Sequence, residues 1–156
     1  MKQTRRSRSL AVRELDQFVV VVTVRTPLSD AEWDEYVQLY RSAKTRTKRV
    51  LMHCAAAPNA AQRGRLRNAE GRAPCLEAVI AVTRDARTAA IAMNWFNPRM
   101  RLFGHSELES ALDYLGAAGG DRELLHRTLD ELEKELTAPP PKSVPELTPD
   151  AALESR

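Results

Sequence analysis

The sequence predicts a single α/β domain, in which helices pack on a central mixed, largely parallel sheet of four or five strands. The chain has 156 residues, enough for one domain of ordinary size. Short β-branched or apolar runs alternate along it with capped, amphipathic helical segments. Hydrophobic residues make up 43% and charged residues 29%, a composition typical of a globular protein and not of a membrane-spanning, collagen-like or wholly disordered chain.

The composition divides the chain into four segments. Residues 1–8 are basic, and we expect a flexible N-terminus there. Residues 9–118 form the predicted α/β domain, and 119–136 form an additional amphipathic helix. Residues 137–156 hold five of the nine prolines, which predicts a disordered, Pro-rich tail.

Five segments are predicted as strands. The clearest covers 17–24 (QFVVVVTV), a β-branched run short enough to be a buried strand. A weaker edge strand precedes it. The predicted strands are 9–15, 17–24, 50–54, 78–83 and 100–103.

Helices follow the strands. Ser29 and Glu32 have the spacing of a capping box, and the helix after them carries Trp33, Tyr36, Val37 and Tyr40 on one face. A second helix begins at Asn59 and Gln62, which have side chains suited to a cap, and runs to about residue 68.

A third predicted helix covers 85–96 and ends before Asn97-Pro98, because a residue before proline avoids helical geometry. Its residues available for burial are Ala89, Ala90, Ile91 and Met93, and we assign Trp95 and Phe96 to core positions. Ser106 and Glu109 form another predicted capping box, and that helix closes at Gly116.

The last helix, predicted over 121–136, carries leucines at helical spacing with acidic residues between them. Such a stripe most often docks on its own domain. The alternative is a contact with a partner helix, including a homodimer through this helix.

Charge is distributed unevenly. The formal net charge is +3, but residues 1–101 hold 19 Lys and Arg against 9 Asp and Glu, whereas 102–156 hold 5 against 12. The pattern permits binding to an acidic partner, or to the acidic half of a second copy of the chain; alternatively, each half is simply a solvated surface. The sequence has two cysteines and no signal peptide, and its longest apolar run (18–22) is too short to span a membrane, so we expect a cytoplasmic protein.

No catalytic set emerges from the residues. His53-Cys54 after an apolar strand resembles the start of a cysteine phosphatase loop, but the required Cys-x5-Arg spacing reaches Ala60 instead of an arginine. A buried structural cysteine is the better interpretation. The histidines have no metal-ligand spacing. We therefore expect no catalytic residue, no metal and no cofactor.

The element order β-β-α-β-α-β-α-β-α, together with Met100-Arg-Leu-Phe103, Ser106-Glu107 and Ala111-Leu112-x-x-Leu115-Gly116, resembles the STAS domain of bacterial anti-sigma-factor antagonists over residues 9–118. The resemblance implies a regulatory protein–protein interaction in bacterial signalling. In that family an Asp-Ser pair begins the second helix, and phosphorylation of its serine controls binding. Here 55–62 read AAAPNAAQ, without serine, threonine or aspartate, so we expect this switch to be absent.

We therefore predict a non-enzymatic module that binds another protein, with an acidic surface, at the strand-end loops and the second helix. The candidate partner-binding residues are Asn59, Gln62, Arg63, Arg67, Arg84 and Arg87. The alternative for the arginines is pairing with Asp85, Glu70 or Glu77.

Two other functions stay open. Nucleic acid is one alternative partner, bound through Arg5, Arg6, Arg8, Lys44, Arg46, Lys48 and Arg49. The other is a small molecule or lipid in the strand-end crevice.

Overall fold

The computed structural model describes residues 8–42, 47–70 and 75–138. Its strands are β1 (Leu10–Glu14), β2 (Phe18–Thr23), β3 (Arg49–Cys54), β4 (Glu77–Ala81) and β5 (Met100–Phe103), and its helices are α1 (Asp30–Arg41), α2 (Ala60–Glu70), α3 (Arg84–Asn94), α4 (Leu108–Tyr114) and α5 (Gly120–Thr137). Every element predicted within 9–136 is found, with ends that differ by a residue or two. The predicted flexible N-terminus, except Arg8, and the predicted tail beyond Ala138 lie outside the described residues.

The five strands form one sheet in the order β1-β2-β3-β4-β5. β1 is antiparallel to β2, and the other three neighbouring pairs are parallel, which confirms the mixed, largely parallel sheet. The three parallel crossovers all step in the same direction. Because such crossovers are right-handed, α1, α2 and α3 lie on one face of the sheet.

Two hydrophobic cores lie on opposite faces of the sheet. The first holds the aromatic residues of α1, with Trp33, Tyr36 and Tyr40 nearly inaccessible to solvent. The second holds the leucines of α4 and α5, including Leu112, Leu125 and Leu132. The alternating side chains of β2 supply both cores, which is why all six of its residues are buried.

The predicted capping box of α1 forms only in part. The Ser29 hydroxyl accepts the Glu32 N–H at 3.4 Å. The Glu32 carboxylate does not return to the Ser29 N–H, because it accepts the N–H groups of Ser9 and Leu10 at 3.0 and 2.9 Å. Glu32 therefore ties the start of β1 to the first turn of α1.

The predicted capping box at Ser106 and Glu109 is wrong. α4 begins after Glu107, whose side chain accepts the Gly104 N–H at 2.9 Å and makes no cap bond to the helix. The predicted end is confirmed. Gly116 has φ of +70°, a conformation that glycine adopts without strain, and the Ala117 N–H closes the helix on Leu112 O at 3.0 Å.

Among the helices that the structure describes, none combines the length and the apolar character needed to cross a lipid bilayer.

Candidate interaction surface

Two of the predicted binding residues build the start of α2. The Gln62 N–H donates to Asn59 Oδ1 at 2.8 Å, and the Asn59 N–H donates to Gln62 Oε1 at 2.9 Å, so the two form a reciprocal cap. The Gln62 amide also donates to Leu28 O and Asp30 Oδ1. Gln62 is only 1% exposed. Its prediction as a binding residue is therefore wrong, because its polar atoms hold α2 against the segment before α1; Asn59 is exposed.

Arg63 and Arg67 extend along α2 toward the end of α3. Arg63 Nη1 donates to Pro58 O at 2.8 Å, which fixes the arginine near the start of its helix. The Arg67 guanidinium lies 4.8 Å from the centre of the Phe96 ring, within the range of a cation–π contact. Arg63, Arg67, Met93 and Phe96 line one small hollow between the helices.

Arg84 and Arg87 lie exposed in the first turns of α3. Within the described residues neither arginine has an ion pair, so the alternative of pairing with Asp85 or Glu77 is not seen. Glu70, the third alternative partner, has a side chain outside the described set. Thr83 caps the helix, with its hydroxyl accepting the Ala86 N–H at 3.1 Å.

Three large hydrophobic side chains are exposed on the outer side of α3 and at its end. Trp95 is 84% exposed, Phe96 52% and Ile91 50%. The assignment of Trp95 and Phe96 to the core is therefore wrong, as is that of Ile91 to the buried face. Arg84, Arg87, Ile91 and Trp95 follow one another at helical spacing and form one exposed stripe.

The backbone after α3 is anchored in a way that turns these aromatic rings outward. Asn97 is buried, and its Nδ2 donates to Cys75 O at 3.2 Å, while its Oδ1 accepts the Arg99 N–H at 2.9 Å. The buried residues Ala86, Ala90, Met93 and Asn97 repeat at intervals of three or four. Ile91 and Trp95 lie off this arc, a signal already present in the sequence.

We define the arginine–aromatic surface as Arg63, Arg67, Arg84, Arg87, Ile91, Trp95 and Phe96. The structure joins Arg63 and Arg67 to Phe96 through the hollow, and joins Arg84 and Arg87 to Trp95 through the stripe. Exposed apolar groups rimmed by arginine are typical of protein-binding sites, where aromatic residues and arginine contribute most of the affinity. Asn59 contributes to this surface by fixing the start of α2.

A cleft of about 480 Å³ lies elsewhere, between α5 and the ends of β2 and β3, lined by Val22, Val24, Arg25, His53, Glu133 and Lys134. The cleft lies at two of the strand ends where a small molecule or lipid was predicted to bind, and such binding stays a prediction. The strand order of this sheet does not support the general rule by which a ligand site was expected at the strand ends. Ligand crevices of open α/β sheets form where strand order reverses, and this order never does.

His53 is a partly buried titratable side chain that lines this cleft. Its Nδ1 is buried and has no hydrogen-bond partner within the described part of the chain, and its Nε2 lies 3.6 Å from Glu133 Oε1. Burial lowers the pKa of His53 below its ordinary value; Glu133 opposes this effect and His105 adds to it. His53 is therefore held mainly in its neutral form.

Cys54 is buried, as predicted for a structural cysteine. Its thiol lies 2.9 Å from Ala56 O, and burial raises its pKa, so the protonated form is favoured. Nucleophilic chemistry requires the thiolate, and this environment opposes its formation.

Comparison with protein-family models, with curated proteins and with solved structures finds no match to this chain.

Proposed function

We propose that this protein is a non-enzymatic module that binds another protein through the arginine–aromatic surface. The observation that carries the proposal is the exposure of Ile91, Trp95 and Phe96, beside arginines that form no ion pair with any residue that the structure describes. Burial of such side chains is favourable and lowers the free energy by roughly 25 cal/mol for each Å² of apolar surface removed from water. A partner supplies that burial when the domain itself does not.

The partner we propose has an acidic surface. Arg67, Arg84 and Arg87 have no ion pair among the described residues, whereas carboxylates elsewhere in the fold are engaged, for example Glu109 with Arg122 at 2.8 Å. Arginine binds carboxylates with two parallel hydrogen bonds. An acidic partner would therefore gain both orientation and affinity from these side chains.

We also propose a regulatory role, on the basis of the STAS resemblance. Support comes from the element order and from the local patterns around Met100 and Gly116. The sequence between Ala55 and Gln62 lacks serine, threonine and aspartate. In this proposal binding is controlled by the partner's availability and not by phosphorylation at the start of α2.

The test is a pull-down from nuclease-treated lysate with the full chain as bait. Trp95→Ala and Arg67→Ala should lose a protein that the wild type retains through a high-salt wash. Arg127→Ala is the matched control, because Arg127 is an exposed arginine on α5, away from the surface. Equal recovery with all four baits would contradict the proposed surface.

A second candidate function is binding of single-stranded nucleic acid on the same surface. The exposed Trp95 and Phe96 rings favour it, because bases stack on aromatic side chains beside arginine. The basic set predicted from sequence is a weaker choice: Lys48 is buried on Glu14 and Leu15 O, and Arg49 stacks on Phe18. When the pull-down is repeated without nuclease, recovery that is seen only in that arm and disappears as salt rises would favour this second function.

A further inference from the structure

β5 has an open edge beside the arginine–aromatic surface. Among the described residues it pairs with β4 alone. The Glu77 N–H donates to Arg99 O at 3.2 Å, and Glu77 stands opposite Met100. Because backbone groups alternate along a strand, those of Met100 and Leu102 point away from β4. The Met100 N–H is taken by Asn97 O at 3.1 Å, which leaves Leu102 facing the open edge.

The two sides of this edge differ in chemistry. On the α3 side, a hollow of about 320 Å³ is lined by Ile91, Asn94, Trp95 and Leu102. On the other side, the exposed Arg101 lies with its guanidinium 5.2 Å from the centre of the Tyr114 ring. An apolar recess and a cation thus lie on opposite faces of one exposed strand.

We infer that an extended segment of the partner protein adds to β5 as a sixth strand. Its backbone pairs with the N–H and C=O of Leu102. Successive side chains of a strand point to opposite faces, so alternate apolar residues enter the hollow at Trp95 and the residues between them, carrying carboxylates, meet Arg101. This inference rests on the proposed function and names the partner segment: extended, with acidic and apolar residues in alternation.

The charge of the edge favours this occupant over a second copy of the chain. Two antiparallel β5 strands paired at Leu102 would place their Arg101 side chains diagonally across from each other on one face of the joined sheet, within reach of long side chains. Repulsion between these like charges disfavours that pairing. An acidic segment turns the same arginine into an attractive contact and covers Trp95 at the same time.

The experiment is a selection of displayed random dodecapeptides on the full chain, followed by anisotropy measurements with labelled synthetic copies of the enriched peptides. We expect enriched sequences to alternate acidic and apolar residues and to lose binding to Trp95→Ala. Leu102→Pro removes the edge N–H, so it should weaken binding about tenfold, whereas Leu102→Val should not. Arg101→Ala should weaken binding of the acidic peptides and abolish their preference over neutral analogues.

Peptide backbone methylation tests the inference without altering the protein. N-methylation of one alternating set of peptide amides should abolish binding, and methylation of the other set should leave it, because only one set faces β5. Peptides that need Trp95 but bind Leu102→Pro normally, or tolerate neither methylated set, would overturn strand addition and leave the proposed surface intact. A selection in which no sequence binds the wild type above Trp95→Ala would overturn the proposed extended segment, whereas equal recovery of a partner by wild type and Trp95→Ala in the pull-down would contradict the proposed function itself.

Discussion

α3 and α5 lie on opposite faces of the sheet and differ in whether their large apolar residues are buried. α5 buries Leu125, Leu129 and Leu132 against its own sheet. α3 buries small residues and Met93, and leaves Ile91 and Trp95 in solvent. Both helices are amphipathic, yet only α5 uses its largest hydrophobic side chains within the domain.

The charged side chains of the two helices differ in the same way as their hydrophobic side chains: those of α5 make contacts within the domain, and the arginines of α3 do not form ion pairs with any described residue. Those of α5 and its neighbours form ion pairs: Arg122 contacts Glu109 and Asp113, and Arg13 contacts Glu131 and Glu135. The arginines of α3 have no such pairs among the described residues. α5 therefore completes the fold, and we propose that α3 faces a partner. A homodimer through α5 would have to use its polar outer surface, since the leucine stripe docks on its own domain.

The largest expected effect distinguishes the two helices by stability. Leu132→Ala removes a buried α5 side chain and should lower the free energy of unfolding by about 2–5 kcal/mol. Ile91→Ala, the matched change on α3, should change it by less than about 0.5 kcal/mol. Urea unfolding measures both. Comparable losses of stability in the two variants would show that Ile91 is packed in the domain, and the difference between α3 and α5 would not hold.

A smaller effect concerns the helix beside α3. Asn59→Ala removes the reciprocal cap with Gln62 and should cost about 1 kcal/mol, whereas Asn59→Ser keeps a capping oxygen and should be nearly neutral. Thermal melting compares the two variants. If Asn59→Ala melts like the wild type, the cap does not position α2 and its arginines.

His53, which lies beside Glu133 of α5, predicts that the stability of the protein depends on pH. The pKa of His53 is lowered from 6.5 in the fold, so the unfolded chain binds the proton first. The wild type should therefore have its full stability above about pH 6.5 and lose part of it as pH falls toward the folded pKa.

His53→Gln should flatten this dependence between about pH 8 and about pH 5, measured by urea unfolding at both values. His126→Gln serves as control, because His126 lies half-exposed beside Glu109. A wild type and His53→Gln variant that lose equal stability on acidification would show that His53 is not held neutral under α5.

A small stability effect is expected for the arginines of the arginine–aromatic surface. Arg63→Ala combined with Arg67→Ala removes one hydrogen bond to Pro58 O and one contact with Phe96. The pair should cost less than about 1 kcal/mol in thermal melting while weakening partner binding. A double variant that unfolds, or binds as well as the wild type, would show that these arginines serve the fold or serve no partner.

The sequence predicted the sheet and its helices because strand and helix periodicities are local properties. β5 was placed at its observed residues, and Trp33 and Tyr40 were placed in the core, since one apolar face of α1 is unambiguous. The cap at Asn59 was also predicted, because its partner lies three residues away.

Features that depend on distant contacts were missed. The Glu32 side chain accepts hydrogen bonds from the start of β1 and not from its own helix. The Gln62 amide donates to Leu28 and Asp30. Neither contact can be predicted from neighbouring residues in the sequence. Trp95 and Phe96 were assigned to the core from their hydrophobicity alone. The spacing of Ala86, Ala90 and Met93 carried the information that Trp95 points elsewhere.

Trp95 is open to solvent in the free protein, where we propose that it is available to a partner. The chain has two tryptophans, and Trp33 is fully buried, so the difference in fluorescence between wild type and Trp95→Phe reports Trp95. Acrylamide quenching of that difference is the most direct measurement. We expect a red-shifted signal that is quenched almost as efficiently as free tryptophan, at every protein concentration. A blue-shifted signal that resists quenching would contradict it, because Trp95 would then already be covered.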